Sequence, residues 1–370
     1  MMKIKAAVIR GKKNILIEEL ELEDPRADEL LVRIVSAGIC RTDLEVLDGY
    51  LPLVPYPVVL GHEGAGIVEK VGANVVGIVP GDTVILGVSA CGMCPHCRNG
   101  ELPYCENHVP MNFIGQRMDG STALLDQKKS KVHSHFFYQS SWATYALAHQ
   151  SNAIKVSDKI DPYFLGPFGC GIQTGAGSIL NVLDVQAGTS VAVFGLGAVG
   201  LSGIMAAKVA GAAVIVAVDR HDEKLSLALE VGATHVINSE KENVIERIHE
   251  ITGRSQGVNY SLEATGATAV MRMAVDVLTE TGHAAITGVA AGKTFELDVW
   301  TVLRGRTIHG TTLGDAVPAV FLPRLVELYK QGRFPVEKMM THYAFEDIKR
   351  AIQDVEDGKV AKAVLHPVLK

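Results

Sequence analysis

The stretch "VAVFGLGAVGLSGIMAAKVAGAAVIVAVD" (191–219) decides how this chain folds. It is apolar enough to suggest a membrane span, yet five glycines and Lys208 interrupt it, and it ends in Asp219. A buried strand, a tight glycine turn, a helix and a second buried strand account for it better. Gly195, Gly197 and Gly200 fall directly after the first apolar run, at the spacing G-x-G-x-x-G. That spacing lets the backbone turn sharply, approach a pyrophosphate and pack a helix against a sheet, with the N–H groups of Ala198 and Val199 facing the phosphates. The glycine pattern alone is weak evidence. Here a strand precedes it, a helix follows, and Asp219 stands 24 residues after the first glycine. A carboxylate there accepts hydrogen bonds from the ribose hydroxyls and repels a 2′-phosphate, which favours NAD over NADP; Arg220 next to it softens that preference.

Outward from this stretch, strand-like runs at 233–238, 258–265, 283–289 and 307–311 alternate with helical segments such as "NVIERIHEIT" (243–252). This is the pattern of a doubly wound parallel sheet. The first 150 residues differ, with short alternating strands such as "ELLVRIV" (29–35) and frequent Gly and Pro, as expected of a barrel-like β domain. Length fits about two domains. A net charge of −6 with no basic run argues against nucleic-acid or anionic-membrane partners. The N-terminal twenty residues lack an uninterrupted apolar core, so a cytoplasmic location is expected.

Four of the six cysteines crowd into "CGMCPHCRNGELPYC" (91–105). Disulfides suit small secreted domains, and Cys91, Cys94 and Cys97 are too close in sequence to bridge one another comfortably. With Cys105 they form C-x2-C-x2-C-x7-C on a Gly/Pro-rich loop, the donor set of a tetrahedral zinc. Four thiolates leave no open position, so that zinc is structural. An iron–sulfur cluster is the rival reading. His96 lies within the loop but outside the shell.

Cys40 ("SAGICRTDLE"), His62 ("GHEGAGIVEKVG") and Cys170 ("LGPFGCGIQTGAG") each have an ordinary reading as buried side chains. Together with "FFYQSSWATYAL" (136–147), the four-cysteine lobe and "GATHVIN" (232–238), these segments resemble the zinc-containing medium-chain alcohol dehydrogenases, most closely the bacterial benzyl (aryl) alcohol dehydrogenases. The resemblance covers essentially the whole chain.

It implies a GroES-like catalytic domain (residues 1–171 and 314–370) and a Rossmann domain (172–313). It implies a catalytic zinc held by Cys40, His62 and Cys170, a ligand set that alcohol dehydrogenase uses, with Glu63 as an occasional fourth ligand. Asp43 would orient His62. Thr42 would bond the substrate oxygen and pass its proton out, and Glu45 would be a candidate terminal base, replacing a histidine found there in liver-type relatives. Arg41 and Lys362 would contact the cofactor pyrophosphate. Gly87, with Met111, Phe113 and Ile114 as candidate wall residues, leaves room for a ring.

The expected protein is therefore an NAD-dependent enzyme with two zinc ions per chain, a homo-oligomer (dimer or tetramer), oxidising benzyl-type or allylic primary alcohols reversibly to aldehydes. Glutathione-dependent formaldehyde oxidation and a non-catalytic NAD-binding protein are the alternatives, and Cys40, His62 and Cys170 weigh against the second.

Overall fold

Six strands of the second half of the chain form one parallel sheet: β1 (Ser190–Phe194), β2 (Val214–Asp219), β3 (His235–Asn238), β4 (Val258–Glu263), β5 (Leu278–Ile286) and β6 (Thr307–Gly310). The computed structural model describes all residues except 157–159, 254–256, 291 and 368–370. The strand order is β3-β2-β1-β4-β5-β6, the doubly wound order whose reversal between β1 and β4 marks the ligand-binding end of such sheets. Helices α1 (Ala198–Ala210), α2 (Asp222–Val231), α3 (Val244–Thr252) and α4 (Thr268–Asp276) supply the crossovers. Ala192, Phe194, Val216, Val218, Ile237 and Ile248 are among the buried side chains of its core. β5 begins at Leu278, earlier than the apolar run 283–289 suggests, because its first turns of chain are polar. The apolar stretch 191–219 resolves into β1, α1 and β2, and no described helix is long and apolar enough to cross a membrane.

The chain divides into two compact units. One comprises Gly171–Ala316 and Glu327–Met339, the other Met1–Cys170, Val317–Val326 and Met340–Lys370. Residues 314–316 and Glu327–Met339, placed by sequence in the catalytic domain, thus cluster with the parallel sheet. The cause is burial: Phe334, Val336 and Met339 are covered, and the turn Val336–Met339 packs against α1 and α2.

The other unit contains two sheets, mostly antiparallel, in the barrel-like arrangement of short strands. Met2–Gly11 pairs with Asn14–Leu22 in one. In the other, Glu29–Gly38 is central, flanked by Gly64–Val71, Tyr145–His149 and the C-terminal strand Lys362–His366. A buried ion pair anchors the start of that central strand. Arg117 meets Glu29 through two bonds, Nε to Oε1 at 2.6 Å and Nη2 to Oε2 at 3.0 Å, with both residues at most 3% exposed. Burial alone would raise the Glu29 carboxyl, but His135, Arg117 and the Arg26 backbone N–H together hold it down to about 2.

The ionised, paired Glu29 therefore contributes stability that is fully present above the ordinary carboxyl range and is lost as pH falls toward about 2. Arg117→Met leaves the carboxylate buried without its cation and should cost about 3–5 kcal/mol at pH 7. The deficit against wild type should shrink at pH 3, where the variant's carboxyl is protonated. Urea unfolding at both pH values, with hydrogen exchange in Glu29–Gly38, measures this.

Candidate metal centres and dinucleotide turn

Cys91, Cys94, Cys97 and Cys105 bring their sulfurs within 4.8 Å of one another. Cys91 Sγ and Cys97 Sγ are 3.9 Å apart, close to the edge of roughly 3.8 Å of a tetrahedron with zinc–sulfur bonds of about 2.3 Å. The loop achieves this with Gly92 and Gly100 at positive φ and a single turn, Pro95–Arg98, that aims Cys97 inward. Backbone N–H groups of Met93 and Cys94 point at Cys91 Sγ and lower that thiol to about 6. Burial and the neighbouring thiols push Cys97 up to about 12. Four sulfurs this close cannot all carry charge without a cation among them, so the donor set fits a dication. Apart from Ala90 and Leu102, the lobe's buried cluster consists of the cysteines themselves. His96 lies outside, with Nδ1 2.7 Å from Glu101 Oε2.

The second cluster joins Cys40, His62, Glu63 and Cys170, one donor atom from each lying within 4.8 Å of the others. Cys40 occupies the N-cap of the helix Arg41–Leu47, and its N–H donates to Asp43 Oδ2 at 3.0 Å. Asp43 Oδ1 accepts from Gly61 N–H at 3.1 Å and lies 3.0 Å from His62 Nδ1. With Nδ1 thus carrying the proton, Nε2 presents a lone pair, and it is buried with no hydrogen-bond partner among the described residues. Cys170 caps the turn Gly166–Gly169, which runs so close to Leu86 that a Cβ on Gly169 would meet its carbonyl oxygen at 2.1 Å.

The electrostatics of the cluster call for a cation. A hydrogen bond with Cys170 pulls the Cys40 thiol well below its usual range against the effect of burial, and the charge of Lys362 acts in the same direction. The bond with Cys40, then burial, pushes Cys170 up. Burial raises Glu63 to about 7 against the pull of Lys362. An orphaned imidazole nitrogen beside two sulfurs and a carboxylate is a donor set that fits zinc.

Lys362 is buried within its own unit, its ammonium 2.5 Å from Glu63 Oε2 and 3.0 Å from the Ile39 carbonyl, so the carboxylate of the cluster has a cation directly behind it. Arg41 and Glu45, expected in separate roles, pair with each other at 2.7 Å, one helical turn apart. Thr42 lies between them, half-buried in the same first turn.

Around His62 stand three phenyl rings. Phe137 stacks on the imidazole at 4.5 Å, Phe136 meets it edge-on at 5.6 Å, and Phe113 touches both rings at 5.0 and 6.1 Å. Met111 is buried and Ile114 half-buried nearby in the chain. A Cβ at Gly87 would meet the Gly169 carbonyl oxygen at 3.6 Å and Ile154 at 3.7 Å, ordinary van der Waals contact.

In the other unit, Gly195 has φ +88° directly after β1, and a Cβ there would sit 2.7 Å from Thr265. A Cβ on Gly200 would collide with the Gly195 carbonyl at 1.8 Å, so α1 can approach the turn only with glycine there. Nothing lies within 4 Å of a Cβ on Gly197, the N-cap of α1, which leaves space over the N–H groups of Ala198 and Val199. This open cradle at a helix N-terminus fits a pyrophosphate. Asp219, at the end of β2, accepts from Leu196 N–H at 2.7 Å and from the N–H groups of Arg220 and His221. Lys224, which sequence reading passed over, is half-buried within Coulombic reach of Asp219; burial lowers its ammonium while Asp219 supports it. Its position five residues past the strand-terminal acid was the available signal.

Two family models match the chain: an alcohol dehydrogenase GroES-like domain over residues 26–158 and a zinc-binding dehydrogenase over residues 198–330. Geraniol dehydrogenase of Castellaniella defragrans is 39% identical over 97% of this chain and 96% of its own length. The crystal structure of benzyl alcohol dehydrogenase from Acinetobacter calcoaceticus superposes with a TM-score of 0.95 at 42% identity, covering 100% of both chains. An alcohol dehydrogenase zinc-binding domain protein from Burkholderia ambifaria gives a TM-score of 0.96 at 47% identity over 99% of each chain. With both domain models matched and similarity running the length of the chain, this protein belongs to the zinc-dependent medium-chain alcohol dehydrogenases.

Proposed function

We propose that the chain oxidises aromatic or allylic primary alcohols reversibly to aldehydes, using NAD and two zinc ions, one structural and one catalytic. The observation that carries the substrate class is the likeness to a geraniol dehydrogenase and a benzyl alcohol dehydrogenase, which act on an allylic and an aromatic alcohol by name. Phe136 and Phe137 are buried against His62, and Phe113 beside them is half-buried.

Zinc held by Cys40, His62 and Cys170 supplies Lewis-acid polarisation of an alcohol oxygen, and NAD supplies the hydride acceptor. The chain's own groups do the rest. Asp43 fixes the His62 tautomer so that Nε2 is the donor. Lys362 keeps a counter-charge on Glu63. Thr42 takes the alcohol proton through its hydroxyl and hands it to solvent. Asp219 selects the unphosphorylated ribose, and the glycine turn seats the pyrophosphate.

We also infer a homo-oligomer. β6 is the edge of its sheet, and beside it in sequence the short helix α5 (Val299–Leu303) buries none of its residues. Val299, Trp300, Val302, Leu303 and Ile308 are all exposed, an apolar patch next to an unpaired strand edge, which a second copy would cover. Sedimentation of the wild-type chain tests this.

Substitutions at four positions test the reading. Cys97→Ser should lose one zinc per chain together with the fold of residues 91–105. Cys170→Ser should lose the other zinc and turnover while keeping its thermal midpoint; metal counting, circular dichroism and NADH absorbance with benzyl alcohol, geraniol and ethanol measure both. Asp219→Gly should weaken NAD by about 10- to 100-fold, the loss of charge-assisted bonds of ~1.5–3 kcal/mol, and raise the NADP-to-NAD ratio of kcat/KM. A wild-type preference for NADP would overturn the role of Asp219. Thr42→Ala should reduce kcat by ~10²–10⁴-fold with NAD affinity unchanged, and Thr42→Ser should keep most of the activity.

A further inference from the structure

The segment "FFYQSSW" (136–142) carries part of the family resemblance but supplies no metal donor, and its backbone is unusual. Phe137, Tyr138 and Ser140 have φ values of +50°, +52° and +46°. Left-handed backbone is disfavoured for any residue with a Cβ, and for two bulky residues in succession it is a true outlier. Such conformations persist only where their surroundings over-determine them, and they gather at functional sites.

Two buried side-chain amides supply that constraint. Gln139 Nε2 donates to the carbonyls of His62 at 3.0 Å and Gly87 at 3.1 Å, while Oε1 accepts from Gly64 N–H at 3.0 Å. Asn152 Nδ2 donates to the carbonyls of Phe137 at 3.0 Å, Tyr138 at 3.3 Å and Gly87 at 3.3 Å. Both residues are 0% exposed. Asn152 Oδ1 has no hydrogen-bond partner among the described residues, so the residue acts through its donors. Ser140 Oγ adds a bond to the Val59 carbonyl at 2.6 Å.

What this backbone delivers is the ring of Phe137, laid on the His62 imidazole at 4.5 Å with 26° between planes. Asp43 holds the same imidazole by Nδ1, and Phe136 meets it edge-on. A hydrogen bond by itself leaves a ring free to rotate about the bond direction. A stacked face removes that freedom.

We propose that Gln139 and Asn152 are positioning residues: by holding Phe137, Tyr138 and Ser140 left-handed they press Phe137 against His62 and so fix the plane in which Nε2 points. This rests on the reading of His62 as a metal ligand. Partners behind a metal-bound histidine alter metal affinity or activity by ~10- to 100-fold when removed, which sets the expected size.

The test uses the zinc-loaded full chain and reads zinc release to an excess of a colorimetric chelator, alongside kcat and KM for benzyl alcohol and NAD. Asn152→Ala should release the second zinc about 10-fold faster or more and lower kcat in step, with KM for NAD unchanged. Phe137→Ala, which keeps both amides, should release zinc faster as well. Adding Tyr138→Gly to Asn152→Ala should restore slow release, since glycine reaches positive φ without strain. Were Asn152 only core filling, that glycine would worsen the variant, and such a result overturns the proposal. Release at the wild-type rate from Asn152→Ala or Phe137→Ala overturns it too. A zinc count in Cys170→Ser equal to wild type would instead sink the ligand reading, and the positioning role with it.

Discussion

Charge taken out of water governs the first unit. Asp43 and Glu63 are fully buried beside two thiols and an imidazole, and an unpaired ion in such a place costs several kcal/mol. Each carboxylate has its answer. Asp43 collects two backbone N–H groups and the His62 ring, and Glu63 takes the ammonium of Lys362. Lys362 lies on the C-terminal strand Lys362–His366, which pairs beside Glu29–Gly38. The need to neutralise one glutamate thus bears on where the end of the chain must lie. The same demand leaves Gly38 without a side chain, because a Cβ there would overlap the Glu63 carboxylate at 1.9 Å.

The two units are held together internally by different means. The parallel sheet relies on aliphatic burial, strands covered on both faces and helices closing over them. The cysteine lobe has almost no apolar interior apart from its own sulfurs. A loop of that kind gains its order from a cross-link, and its four sulfurs, within 4.8 Å of one another, fit a dication in that role. Stability in one place is spread over many weak contacts; in the other few such contacts are on hand.

Glycine marks the places where backbone must come close to something else. Gly195 and Gly200 allow β1 and α1 to meet at the cofactor turn, and Gly61, at φ +92°, packs a Cβ's breadth from Trp142 just before His62. The segment 136–142 solves a similar problem without glycine, with Gln139 and Asn152 supplying the restraint that glycine would make unnecessary.

By itself the sequence determined the order of the parallel sheet's elements and the crowding of four thiols into one loop. Both are local signals: apolar runs of strand length, a glycine spacing followed by an acid, and thiols a few residues apart. Cys40, His62 and Cys170 stand far apart in the chain, and only folding brings them together. Tertiary structure decided what the long-range partners do. Nothing along the chain links Lys362 to Glu63, yet folding buries one against the other; Arg41 and Glu45, read in separate roles, also pair across one helical turn. Residues 314–316 and Glu327–Met339 read as part of the tail, yet the apolar side chains of the second stretch find cover on α1 and α2. Gln139 and Asn152 carry no signal at all in sequence, because an amide's meaning depends on which carbonyls folding brings to it. Pairing of buried polar groups is a property of contact in space, and spacing along a chain records only the contacts that are near in sequence.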